Sequence, residues 1–564
     1  MQFQTRILIK LRYIIYSIKI ITNCHEKPSF WQTKENSVRA KEYLFHHPLA
    51  FWLGCLLITL GVLSHIPMFI HASAMNYKMV GMPMDITMMI GMALIPFGLA
   101  LACYGLMPRL AILRLNNSVE VLNFHIADNS PLTSEHLKLV FALLVAVIVD
   151  VMKPATLGFV MPGMTLEYQI TNEAVGSLAL IALTGTAIGS ILWGKMADML
   201  GRRAAILLSA LMFIGTAICG AMPSFEWNLA MCFLMGLSAG GLLPITFTLM
   251  AEMIPARHRG WLLVALGGIG TSAGYLVASG AAAILEPLFS WRMLWMLGLP
   301  TGLIVIALNR YIPESPRFLA NVGLTQQARA VLAKYNGKLD SHQNHPIEDN
   351  VSANKNSFYQ LMRGPYAWIT LALVGAGTAW GIANFGFLLW LPTNLRNMGM
   401  SADTTNTLLA QSGLLALPGI LLVVWLYHSW SSIKTLVLFV VMTAASLGLF
   451  IVFDLLQQLS NSIILISTTL LLISSSGVIA MLIPYAAEIY PVQHRGSGAG
   501  LIAASSKFGG ILGAMLGVTG IFAKLGLSAL MIAITLIICA MLLIKYGVDT
   551  RGRRLEDIQA QFRT

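Results

Sequence analysis

A peptide backbone immersed in hydrocarbon finds no water to bond, so an apolar stretch of about 20 residues that crosses a bilayer has to be a helix satisfying its own amides. This chain presents such stretches repeatedly, and their number and spacing constrain the fold more than any single residue does. Two come first, at residues 49–70 and 84–106. Six follow near 137–160, 174–194, 204–222, 227–250, 261–284 and 291–309. After a polar interval, six more lie near 366–391, 405–427, 435–454, 462–486, 497–520 and 525–544. The pattern predicts an all-α membrane protein: two six-helix halves, about 12 spans, preceded by an extra N-terminal two-helix hairpin, about 14 in total.

Composition agrees. With 57% hydrophobic and 11% charged residues the chain has too little polar surface for a soluble protein of 564 residues. The net charge of +12 is spread along loops and tails between apolar runs, which suits anionic lipid rather than nucleic acid. The expected divisions are a basic N-tail at 1–48, the hairpin at 49–108, a linker at 109–136, one half at 137–309, a central loop at 310–365, the other half at 366–546 and a C-tail at 547–564. Residues 7–21 are apolar but carry Lys10, Arg12 and Lys19, too short and too charged to span, and no small-x-small cleavage site marks a signal peptide. The six cysteines show no CxxC framework, and the Met-rich run at 82–92 has no Cys or His beside it, so neither metal nor cofactor is expected.

Charge asymmetry sets the orientation. If the N-terminus is cytoplasmic, the inside set includes Lys195, Arg202, Arg203, Arg257, Arg259, Lys434, Arg495, seven Lys/Arg between 310 and 363 and the C-tail. The outside loops then hold Lys78, Arg292, Arg396 and Lys524. The positive-inside rule therefore predicts a multi-pass cell (inner) membrane protein with both termini in the cytoplasm.

One phrase is written twice on the predicted inside face. Glu252, Pro255, His258, Arg259 and Gly260 follow the pattern E-x-x-P-x-x-H-R-G, and Glu488, Pro491, His494, Arg495 and Gly496 repeat it, once per half. Between the second and third helices of the first half, Gly194, Asp198, Gly201, Arg202 and Arg203 form G-x-x-x-D-x-x-G-R-R. Pro313, Glu314, Ser315, Pro316 and Arg317 spell PESPR after the sixth helix, and Asp549, Thr550, Arg551, Gly552, Leu555 and Glu556 follow the twelfth. These ordered motifs resemble those of the major facilitator superfamily, including its sugar-porter and organic-ion branches, over about residues 137–560. The resemblance implies a monomeric secondary transporter that moves a small solute, with H+ as the coupling ion, by rocking two halves around a central site. In the second half the expected loop reads Tyr427, His428, then Ser432 and Lys434, with no Asp and no Gly.

Physically, the inside motifs read as a gate. Glycines let helix ends approach, while Asp198, Glu252, Glu314 and Glu488 face Arg202, Arg203, Arg257, Arg259, Arg317 and Arg495 as candidate pairs that break and reform. Arginines serving orientation alone would need no acids. His258 and His494 read as solvated loop residues.

Chemistry belongs with charges inside spans, where each is costly and faces a cavity or a partner. Asp150 and Lys153 lie three residues apart on the first repeated span and are expected on one helix face, and Lys507 lies midway along the eleventh. Asp150 resembles the first-helix acid of proton-coupled metabolite and aromatic-acid symporters; Lys507 takes the place of an arginine in organic-ion carriers. Asn384 and Gln411 are candidate substrate contacts. The seventh helix has Gly377 and Thr378 where sugar porters carry a Gln pair, which disfavours a hexose and leaves a small organic anion favoured. A sugar or organic-cation carrier, an efflux carrier and a non-transporting sensor remain the alternatives; no enzyme motif is present.

Overall fold

The computed structural model describes residues 47–107, 131–322, 324–335, 361, 366–456, 460–490 and 492–550. The N-terminal apolar stretch at 7–21, most of the linker, Cys24 and the C-tail beyond Thr550 lie outside the described residues.

Fourteen helices among the described residues are long and apolar enough to cross a membrane. Two form the hairpin, α1 (Pro48–Met75) and α2 (Ile86–Leu106). The first half comprises α3 (Ser134–Tyr168), α4 (Asn172–Leu200), α5 (Arg202–Ala221), α6 (Phe225–Met253), α7 (Arg257–Phe289) and α8 (Met293–Tyr311). The second comprises α9 (Ala367–Asn397), α10 (Ala402–Ser429), α11 (Ser432–Val452), α12 (Asn461–Ile489), α13 (Ser497–Val518) and α14 (Leu525–Tyr546). Several run past the stretches expected from hydropathy. The 35 residues of α3 extend for roughly 50 Å against a hydrocarbon core of about 30 Å, so the helix tilts or projects into water, where an apolar window does not follow it.

Local chemistry starts these helices. Thr133 and His136 make a capping box at α3, and the hydroxyls of Thr171, Ser224 and Ser401 accept from the third N–H of α4, α6 and α10. With lipid outside, helices associate by close backbone approach at small residues. Along the α4–α6 seam, a Cβ on Gly185, Gly189, Gly236 or Gly240 would strike the carbonyl oxygen of Phe233, Leu237, Ala182 or Thr186 respectively. The hairpin repeats the device, with Gly54 against Gly98 and Gly61 against Gly91, and packs on α5.

The two halves meet along α7 with α10 and α12, along α4 with α13, and along α3 with α9. In α9 the helix loosens to a π-type turn over Ala383–Leu388, at the level where Gly381 and Gly386 pack against α13 and Phe522.

Candidate functional site

Asp150 on α3 is buried at 5% exposure, and its Oδ1 has no hydrogen-bond partner. The charge that acts on it comes from across the seam: Lys507 on α13 and Asp150 are each the other's electrostatic partner, with the Leu243 backbone of α6 beside the acid. The Lys507 ammonium donates to the Ser190 hydroxyl on α4. That hydroxyl donates to Thr186 O at 2.9 Å and Gly240 O at 3.1 Å, so it is held as an acceptor for the ammonium. One acid and one ammonium from opposite halves thus lie within electrostatic reach of each other, with the ammonium held on a serine. A second polar contact joins the halves where Ser272 Oγ of α7 donates to Ser476 Oγ of α12 at 3.0 Å.

Lys153 is not part of this group, contrary to the shared face expected from its spacing. Its ammonium turns into the first half's own core, donating to Thr216 Oγ1 at 3.1 Å and Phe213 O at 3.4 Å and lying 4.4 Å over the Phe213 ring. Positions i and i+3 differ by about 60° around a helix. On a helix bordering the seam, that angle and a four-carbon stem separate the two side chains. Gln411 also departs from expectation: it shares an exposed face of α10 with Leu414, Leu415 and Leu422, which suits lipid rather than substrate. Asn384 is half-buried in the π-type turn of α9, one turn beyond Trp380, whose indole donates to Ser475 O at 2.8 Å.

The motif residues gather at one end of the bundle. Arg202 binds Asp198 at 3.2 Å and Glu252 at 3.4 Å, and Arg203 Nε donates to Asn309 Oδ1 at 2.7 Å. Glu314 accepts from the main-chain N–H of Arg202 at 2.7 Å and of Ser315 at 3.0 Å, and its other oxygen accepts from Arg203 N at 3.3 Å. It therefore caps α5, where four N–H groups have no intrahelical acceptor. Burial pushes its carboxyl up to about 7, opposed by those N–H bonds and by Arg203. Gly201 precedes α5 with φ +102°, a left-handed conformation, and a Cβ there would strike Glu314. Gly194, expected to allow close approach, has open space around it. Arg259 donates to Ile254 O at 3.3 Å, Arg257 and Arg317 are exposed, and the Arg495 side chain lies outside the described residues. Glu488 accepts from Tyr427 at 3.0 Å and Thr550 at 2.5 Å.

Two ion pairs at the opposite end escaped sequence reasoning. Arg292 is fully buried against Glu167 at 2.7 Å and also donates to Gly220 O and Met222 O. Glu167 accepts from Met79 N in the hairpin loop at 2.8 Å as well. Arg396 of α9 grips Glu286 of α7 with both terminal nitrogens, at 3.0 and 2.8 Å. The available signal was a charge at the end of an apolar span, but partners more than a hundred residues apart carry no local spacing.

The niacin transporter NiaP of Acinetobacter baylyi is 27% identical over 440 residues, covering 76% of this chain and 98% of that relative. The 4-hydroxybenzoate transporter PcaK of Pseudomonas aeruginosa is 29% identical, covering 69% and 87%, and the gallate transporter of Pseudomonas putida is 26% identical, covering 72% and 89%. Among solved structures, the xylose transporter XylE of E. coli in a partially occluded inward-open conformation superposes with a TM-score of 0.60 at 16% identity, over 75% of this chain and 100% of that one, a likeness of fold. The family model for the Major Facilitator Superfamily matches residues 140–514, and the chain belongs to that superfamily as a multi-pass membrane transporter.

Proposed function

We propose that the protein is a proton-coupled symporter of a small aromatic carboxylate, working as a monomer by alternating access, with its motif-bearing end and both termini in the cytoplasm. The observation that carries this reading is the Asp150–Ser190–Lys507 group, one acid and one ammonium contributed by opposite halves. Its chemistry couples the two loads. An entering carboxylate takes Lys507 away from Asp150, and an ionised acid left buried without a counter-charge is costly. Asp150 therefore takes up a proton as the anion binds, and both loads leave together when the halves rock. Relatives named for niacin, gallate and 4-hydroxybenzoate transport support a ring bearing a carboxylate. The skewed distribution of Lys and Arg supports the orientation. The motif-end pairs, Arg202 with Asp198 and Glu252, would then serve as the cytoplasmic gate.

The test is uptake into proteoliposomes under an imposed proton gradient, with labelled 4-hydroxybenzoate, nicotinate and xylose. Accumulation of an aromatic acid but not of xylose is expected. Asp150→Asn should abolish gradient-driven accumulation while leaving counterflow exchange, and Lys507→Gln should raise the half-saturating concentration about tenfold or more. Accumulation by Asp150→Asn equal to that of the parent would refute the coupling.

A further inference from the structure

The contact between Arg396 and Glu286 crosses from one half to the other, at the end of the molecule opposite the motifs. Glu286 stands in the last turn of α7 in the first half, and Arg396 in the last turn of α9 in the second. Asn406, in the first turns of α10 and fully buried, completes a ring: its amide nitrogen donates to Glu286 Oε2 at 2.6 Å and its carbonyl oxygen accepts from Arg396 Nη2 at 3.2 Å. The same nitrogen reaches Ala282 O at 3.4 Å, so Asn406 is also fixed to the α7 backbone. Paired guanidinium and carboxylate forks have a demanding geometry, which the carboxamide holds in register.

We propose that Glu286, Arg396 and Asn406 are a latch that closes this end of the transport path and opens whenever the central site faces that side. The pair at the same end that lies within one half shows the contrast. Arg292 is 0% exposed, its Glu167 partner 7%, and the two join spans of the first half to the hairpin loop, as a permanent staple would. Arg396 and Glu286 are 13% and 12% exposed, so water rehydrates both charges as the ring parts, and what they join are the bodies that rock. Just inside the ring the halves also touch without charge: the ring of Trp390 on α9 fills the space beside Gly176 of α4, and Leu389 O faces Gly158 of α3. Those apolar contacts separate at little electrostatic cost, which leaves the ring to set how often this end opens. Transport in this family requires such opening, whatever the substrate.

The experiment needs no substrate. A cysteine is placed at Thr393, 2% exposed and one turn before Arg396, and its reaction with a membrane-impermeant thiol reagent is timed from the end opposite the motifs, using sealed vesicles of each sidedness. The parent chain without the added cysteine supplies the background. In Glu286→Gln and in Arg396→Gln the reaction should quicken roughly tenfold or more, because loss of one partner of a close charge pair favours separation. Arg396→Lys, which keeps the charge and loses the fork, should give an intermediate rate and serves where a neutral variant does not fold. The exchange of Glu286→Arg with Arg396→Glu should slow the reaction back toward the parent. Equal rates in the parent, Arg396→Lys and whichever neutral variant folds would overturn the latch, as would acceleration from the motif-bearing end instead.

Discussion

In the first half, the carboxylate that follows the last span reaches back to the start of that half's third span: Glu314 accepts from Arg202 N at 2.7 Å. In the second half Asp549, which follows the last span there, does the same at the start of α11, accepting from Ser432 N at 3.2 Å. The positions correspond, but the surroundings differ. Glu314 is bedded among Arg202, Arg203 and Ser315. Around Asp549 the described bonds come from the Ser432 main chain and hydroxyl, and Ser432 Oγ in turn accepts from Thr550 N at 3.0 Å and lies 2.7 Å from Thr550 Oγ1, whose proton goes to Glu488. Tyr485 ties in the same segment through Val548, accepting from its N–H at 3.0 Å and donating to its carbonyl at 2.8 Å. The loop after α10 lacks the Asp and Gly of its counterpart after α4, yet the helix-capping carboxylate is present. What the halves share is a cap supplied from a distant segment, and the local motif is one way of surrounding it.

Removing the cap of the first half should have the largest effect. Glu314→Ala leaves the first N–H groups of α5 without their acceptor and the buried Arg203 without its neighbouring charge, and should destabilise the protein by about 3 kcal/mol in a thermal unfolding series. Glu314→Gln, which keeps one acceptor oxygen, should lose less. The carboxyl also gives this half a pH response. Its value in the fold, about 7, lies above the ordinary 4.5, so the protonated acid is the form the fold favours. Its contribution is complete below about pH 4.5 and is lost as the pH rises through about 7, a change of roughly 2 kcal/mol after allowing for solvent at its rim. Glu314→Gln should flatten that slope, and an unchanged slope would assign it to another group.

Asp549→Ala comes next. It removes an acceptor for one main-chain N–H and one hydroxyl, and the neighbouring Ser432–Thr550 and Tyr485–Val548 bonds remain. A loss of about 0.5–2 kcal/mol is expected, the usual range for a helix N-cap. A loss as large as that of Glu314→Ala would show that the two caps are equivalent and that the additional main-chain N–H groups on Glu314 add nothing.

The fold was readable because lipid imposes one answer on every apolar run, and the family was readable because its loop motifs are short and contiguous. Asp150 and Lys507 stood out as charges where charge is expensive. Lys153 satisfies the same criterion and is expected with them, yet a helix bordering the seam has two polar directions, and residue spacing does not choose between the direction Asp150 takes and Thr216 within the half. Gln411 misled in a related way: a polar residue in a span attracts attention, while the face it shares with Leu414 and Leu415 is set by how α10 packs on α7 and α12. The Glu286–Arg396–Asn406 ring and the capping role of Asp549 depend on which helix ends become neighbours, and that is a property of the assembled bundle.

The smallest expected effect on stability tests whether the first half's charges act as a gate or only as ornaments of topology. Asp198 is 74% exposed and meets Arg202 one helical turn on, across the boundary of α4 and α5. Exposed pairs of this kind contribute little, so Asp198→Asn should move the unfolding midpoint by no more than about 0.5 kcal/mol. A gate is judged by rates. With Asp198 neutral, Arg202 is left to Glu252, 10% exposed, and the proposed gate loses one of its two acids. Transport should then change several-fold at constant stability, whereas Asp549→Ala should lower stability and activity together. If Asp198→Asn alters neither, Arg202 is held by Glu252 alone, and the difference between the halves at this end is confined to how each surrounds its cap.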